Sequence, residues 1–177
     1  MSLRDVARQA GVSPAAPYHH FASKDALLEA IAREGFIELA RVMRQARDTA
    51  DDTPTARLRA IGEAYVRFAL DRPAHFHVMF RRASTPETYA DPDVADSFQV
   101  LLDGALEVVG VATRDRLSQR ELVVLSWSVV HGAASLLLDG PLSRGIPALQ
   151  IEPDDVPAMV VRTLETLLVA LTAKRKR

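Results

Sequence analysis

An all-α fold follows from three features of this 177-residue chain. Apolar residues recur at three- and four-residue spacing in segment after segment, as one face of a helix requires. No stretch alternates apolar and polar residues with the period of a strand. The 8 glycines and 10 prolines fall mainly between the apolar runs, where they end helices. At 48% hydrophobic and 25% charged residues the composition is that of a globular chain, long enough for one or two small domains with a sizeable core. The absence of cysteine excludes disulfides and thiolate metal sites. The amino-terminal residues are polar and amphipathic and carry no signal-peptide pattern, so the expected compartment is the cytoplasm.

The first helix is read from Leu3, Val6, Ala7 and Ala10 on one face, with Arg4, Asp5, Arg8 and Gln9 on the other. Gly11 stops it, because glycine takes the left-handed conformation after a last turn at little cost. Ser13 is expected to cap a second helix and Pro14 to fill its first position, so that the helix runs to about His20. Two short helices joined by a Gly-containing turn form a helix-turn-helix, the arrangement that places its second helix in the DNA major groove. Pro17, at the fourth position of that helix, removes a hydrogen bond and should leave the first turn loose or 3₁₀-like. Ser23 caps the third helix, and Lys24 sits at its start, where the helix dipole disfavours a cation unless an anion such as a DNA phosphate is held there. Residues 1–24 carry Arg4, Arg8 and Lys24 against Asp5, a small basic head on a chain of net charge −1.

The third helix continues as one amphipathic rod to about Arg47, through Leu28, Ile31, Phe36, Leu39 and Met43. Asp51 to Pro54 breaks it. A helix over 54–70 presents Leu58, Ile61, Tyr65, Phe68 and Ala69. A short helix over 74–82 is rich in His75, Phe76, His77, Met79 and Phe80. Residues 83–92, with two prolines and no period, read as a surface loop. A helix over 93–111 presents Val94, Phe98, Leu101, Leu102, Ala105 and Leu106, and 113–118 is a polar break. The helix over 121–138 is apolar on nearly every side; it is slightly short for a membrane span and holds serines and His131, so no membrane role is expected. Residues 140–157 read as a loop, and the last helix, 156–173, carries Val160, Leu164, Leu167, Leu168 and Leu171 on one stripe, with Val161 and Val169 off it. The helices at 121–138 and 156–173 have more apolar surface than one body can cover, so each needs a second partner.

The run VARQAGVSPAAPYHHFASKDALLEAI resembles the DNA-binding segment of the TetR family of bacterial transcriptional regulators. The matching positions are Ala10-Gly11-Val12-Ser13, Tyr18, His20-Phe21, Ser23-Lys24, Asp25 and Leu27-Leu28. Trp127-x-x-x-His131-Gly132 is similar to the W-x-x-x-H-G signature of one TetR-type carboxy-terminal domain. Its spacing stacks Trp127 on His131, and Gly132 would let another helix backbone approach. The resemblance implies an incomplete helix-turn-helix head over 1–45, lacking the first helix of the family, and a ligand-binding and dimerisation domain over 46–177. It also implies a homodimer through the helices at 121–138 and 156–173.

The residues expected to meet DNA are Ser13, Ala15, Ala16 and His19 towards the groove, Tyr18 and Lys24 on phosphates, and either His19 or His20 on a phosphate or base edge with the other packing. Tyr65, Phe68, Phe76, Met79, Phe80, Phe98, Trp127 and His131 are candidates for an apolar ligand pocket, with plain core packing the competing reading. His131 reads first as a core histidine. His75 and His77, two apart on a helix, point about 200° from one another and cannot chelate one ion; one should face inward and the other solvent. No catalytic, metal or cofactor set can be assembled. The expected function is a repressor released from a palindromic double-stranded DNA operator by a small hydrophobic effector; the alternative is a ligand-binding dimer that does not bind DNA because its head is incomplete.

Overall fold

The computed structural model describes residues 2–82, 86–110 and 118–172, and among these the only non-helical pairing is an isolated bridge between Ile146 and Ile151. Nine α-helices follow in order among the described residues: α1 (Leu3–Gln9), α2 (Ala16–His20), α3 (Lys24–Thr49), α4 (Pro54–Asp71), α5 (Pro73–His77), α6 (Pro86–Ala90), α7 (Pro92–Val109), α8 (Gln119–Leu138) and α9 (Val156–Thr172). Most starts are written in the sequence. Ser23 Oγ accepts from the Ala26 N–H at 3.1 Å, Thr53 Oγ1 from Ala56 at 3.2 Å, and Asp91 from Asp93 at 2.9 Å. At α8, Ser118 and Glu121 form a reciprocal capping box.

The expectations for the second helix need correction. Ser13 makes no cap; its carbonyl instead accepts from the Ala16 N–H at 3.0 Å, and Tyr18 N–H bonds Ala15 O at 3.1 Å. These tight four-residue turns delay the helix to Ala16, so Pro17 occupies its second position, where its missing N–H costs no intrahelical bond.

Three further segments differ from their sequence reading. The helix expected over 74–82 begins at Pro73 and changes at Val78 into a π-helical turn, Val78–Arg82. The segment read as a loop over 83–92 contains α6, with Pro86 as its first residue; residues 83–85 lie outside the described residues, as does most of the polar break at 113–118. The loop over 140–157 holds three 3₁₀ turns, each beginning at a proline: Pro141–Arg144, Pro147–Leu149 and Pro153–Asp155.

α3, α4 and α7 pack on one another, α8 lies against α4 and α7, and α9 closes against α4 and α8. Phe36, Leu39 and Met43 of α3, Leu58 and Ile61 of α4 and Leu101 of α7 are all but fully buried. Each such side chain contributes about 1.5–3 kcal/mol by leaving water. α8 is long and apolar enough to cross a membrane by length and composition alone, yet its Leu122, Ser126, Val130, Ala134 and Leu137 are buried in this core.

The α9 stripe is rotated from its expected position: Val161, Leu164 and Leu168 are buried, while Leu167 is 46% exposed. Gly62 is the cause. A Cβ there would stand 2.8 Å from Val161 Cγ2, so the missing side chain on α4 makes the seat for Val161. Gly132, by contrast, has open space beside it, and no helix backbone among the described residues uses it.

Candidate nucleic-acid interface and aromatic site

α1 is fixed at both ends. Ser2 Oγ accepts from the Asp5 N–H at 3.3 Å, and the Asp5 carboxylate accepts from the Ser2 N–H at 2.8 Å, which holds the Asp5 carboxyl below its usual range. At the other end Gly11 has φ +71°, Val12 N–H reaches Ala7 O at 3.0 Å and Gly11 N–H reaches Arg8 O at 3.3 Å. That pair of bonds is a Schellman motif, and it aims the chain from α1 into α2. Leu3 and Ala7 are buried.

The expected DNA-facing residues come together on the surface of this head. Ser13, Ala15, His19 and His20 are exposed, and Tyr18 is 52% exposed despite its ring. Ala16 and Lys24 are half-buried, Lys24 as the first residue of α3 beside its Ser23 cap. His20 lies 6.4 Å from the Phe21 ring.

In the body, Tyr65, Phe76, Phe80, Trp127 and His131 form one contiguous cluster. The His131 ring stacks on Phe76 at 5.3 Å, meets Phe80 edge-on at 4.6 Å and lies 5.3 Å from Trp127. Trp127 Nε1–H donates to the Tyr65 hydroxyl at 3.2 Å, and that hydroxyl lies 2.9 Å from His131 Nδ1. Burial pushes the Tyr65 pKa far up, so the phenol stays neutral. Phe98 joins through Trp127 at 5.3 Å, edge-to-face. Met79 is fully buried against Gly35, where a Cβ would come within 2.5 Å of its sulfur. Phe68 stands apart, with the Arg72 guanidinium 5.9 Å over its ring.

The other seven of these eight candidates are brought close without enclosing one chamber. A cavity of about 60 Å³ lies beside Phe76, Phe80 and His131, bounded also by Ser135 and Asp139. On the far side of Trp127 and Phe98 an apolar groove of about 440 Å³ is walled by Tyr89, Ala95, Val123 and Val124. Phe36 and Tyr89 belong to the same aromatic network, Phe36 meeting Phe80 at 5.1 Å and Tyr89 at 5.9 Å. Phe36 was legible as a core residue of α3, whereas Tyr89 lay in the segment read as loop.

His75 and His77 do not divide into one inward and one solvent-facing side chain. Both are half-buried, on different sides, His75 beside Glu34 and Ile37 of α3 and His77 with its Nε2 2.9 Å from Asp139 Oδ2. Between α8 and α9 runs a second apolar groove of about 420 Å³, lined by Val129, Gly132, Leu136, Met159 and Val160 among others. Leu136 and Met159 on its rim are 44% and 39% exposed.

Residues 1–31 match the family described as bacterial regulatory proteins, tetR family, and residues 58–167 match the tetracyclin repressor-like C-terminal domain. No curated protein matches in sequence. Among solved structures, a protein of unknown function from Rhodococcus sp. RHA1 is 26% identical with a TM-score of 0.74, covering 96% of this chain and 85% of that one. A regulatory protein in the tetR family from Rhodococcus RHA1 is 22% identical with a TM-score of 0.64, covering 98% of this chain and 86% of that one. The TetR family transcriptional regulator PfmR from Thermus thermophilus is 21% identical with a TM-score of 0.62, covering 98% of this chain and 90% of that one. The latter two share the fold.

Proposed function

The chain belongs to the TetR family of bacterial regulatory proteins, and from that premise we propose that it is a homodimeric repressor, released from a palindromic operator by a small hydrophobic effector. It acts in the cytoplasm on double-stranded DNA. The observation that carries the reading is the head: a short helix-turn-helix that exposes Ser13, Ala15, Tyr18 and His19 together. Small groove-facing side chains and one phenol suit contacts to thymine methyls and phosphates, with modest discrimination per half-site. Dimer symmetry supplies the rest, since two heads read two half-sites about one helical turn apart.

The dimer would form through α8 and α9, where the 420 Å³ groove and the exposed Leu136 and Met159 present apolar surface suited to a second copy. The effector would bind against Phe98 and Trp127, in the 440 Å³ groove, whose walls are apolar and aromatic. It acts by binding one head spacing better than another, a population shift.

The test is a selection of protein-bound duplexes from random DNA, followed by footprinting of the DNA upstream of the protein's own gene. A two-fold symmetric motif, protected in both, is expected. Recovery of no enriched motif would remove the operator reading.

A further inference from the structure

The DNA-binding head joins the body through α3, and α3 is not held evenly. Its residues 24–31 are at most half-buried, Leu28 packing partly against the core, and full burial begins at Ala32, which is 0% exposed. Alongside that half-buried stretch lies a cleft of about 320 Å³, with Ala26 and Ala30 of α3 on one wall and Thr88 of α6 on the other. Beyond it Phe36, Leu39, Ala40 and Met43 are buried and Arg44 pairs with Asp96 of α7.

Arg33 stands where burial begins. Its Nε donates to Asp91 Oδ2 at 2.7 Å and its Nη2 to Asp93 Oδ2. One guanidinium therefore forks onto two carboxylates at the start of α7, and Asp91 is itself fixed as the α7 cap through the Asp93 N–H at 2.9 Å. The planar fork constrains direction as well as distance. The pairing raises the Arg33 pKa and, with the Asp93 N–H, holds the Asp91 carboxyl below its usual range, so this central pair stays charged at neutral pH. From Arg33 to Lys24 the helix rises about 13 Å, at about 1.5 Å per residue.

We propose that Arg33, acting through Asp91 and Asp93, is the positioning residue of the head: it sets the angle at which α3 leaves the body and, in a dimer, the spacing of the two recognition helices. Only the consequence for DNA rests on the regulator reading; the positioning is a property of a single chain. The same corner is joined to the apolar groove. Tyr89, two residues before Asp91, lies 5.9 Å from Phe36 and 6.0 Å from Phe98 and forms part of the groove wall. An apolar molecule that displaces Tyr89 thus acts on the corner that Arg33 grips.

The chain has no cysteine, so Gln9→Cys and Arg67→Cys, both at exposed positions, place one spin label on the head and one on the body. Diluted into excess unlabelled protein, pulsed dipolar spectra read the distance within one chain, whether or not it dimerises. Arg33→Gln is expected to broaden the distribution, Asp93→Asn to do the same, and Arg33→Lys, which keeps the charge without the fork, to fall between Arg33→Gln and the unsubstituted chain. The unfolding midpoint should hardly move, because the Arg33 side chain is 47% exposed. A distribution for Arg33→Gln that superimposes on that of the unsubstituted chain overturns the proposal. In parallel, binding to DNA from upstream of the gene is titrated; a fall of the competent fraction to about a third weakens the apparent affinity about threefold. Broadening without any DNA binding by the unsubstituted protein leaves Arg33 in its role and removes the regulator reading. Binding with an unchanged distribution does the reverse.

Discussion

The Tyr65 hydroxyl lies 2.9 Å from His131 Nδ1 while accepting a hydrogen bond from Trp127 Nε1–H at 3.2 Å. The hydroxyl oxygen takes the indole proton on one lone pair and meets the imidazole at Nδ1, so Tyr65 is the common partner of both α8 side chains. α4 and two turns of α8 are thereby tied through one part-buried polar relay, against which Phe76 of α5 stacks.

Tyr65→Phe removes the acceptor of Trp127 and the hydroxyl partner of His131 Nδ1 at once. Stability should fall by about 1–3 kcal/mol in denaturant titration at neutral pH. The pH dependence has a definite sign. Folding raises the Tyr65 pKa above its ordinary 10.0, so the native state keeps a proton that the unfolded chain releases. The stabilisation is complete below about pH 10 and is lost as pH rises further. The alkaline loss of stability should be smaller in Tyr65→Phe; equal alkaline slopes in the two proteins would refute the raised Tyr65 pKa.

Ser126 is fully buried and its Oγ has no hydrogen-bond partner among the described residues. Burying an unsatisfied hydroxyl is unfavourable, so Ser126→Ala should raise stability, by about 1 kcal/mol. A thermal scan of the two proteins reads this as an increase of about 2–4 °C. A clear decrease would mean that the hydroxyl is satisfied in solution.

Leu136, on the rim of the groove between α8 and α9, is 44% exposed within one chain. Leu136→Arg places a charge where a second copy would bury the leucine. Sedimentation equilibrium at micromolar concentration should show a dimer for the unsubstituted protein and a shift towards monomer for the variant. A dimer of unchanged strength would place the interface elsewhere.

Lys24 opens α3, a position favourable to a cation only when an anion is shared with the helix end. Lys24→Ala should weaken binding to every DNA sequence alike and lower the slope of log affinity against log salt by about one. Ala15→Ser, by contrast, should change which operator is preferred. An unaltered salt slope for Lys24→Ala would show that this ammonium meets no phosphate.

The sequence by itself determined the helical class, the bounds of α3, α4, α7, α8 and α9 to within about two residues, and the helix-turn-helix of the head. These are local properties. A cap at Ser23 or Thr53, a left-handed Gly11 and an apolar stripe of helical period are each written within a few residues of the structure they specify. The pairing of Tyr65 with His131, 66 residues apart, could be suspected only from residue type. Tertiary structure alone decided that Val161 faces inward and Leu167 outward, because the seat for Val161 is an absent side chain on α4, at Gly62. It alone decided that Pro86 opens a helix whose Tyr89 joins the core aromatics, and that Arg33 forks onto carboxylates 58 and 60 residues away. Hydrophobic period tells how much of a helix is apolar; which neighbour takes each side chain is set by packing between segments far apart in the chain, where close approach and shape decide what is buried.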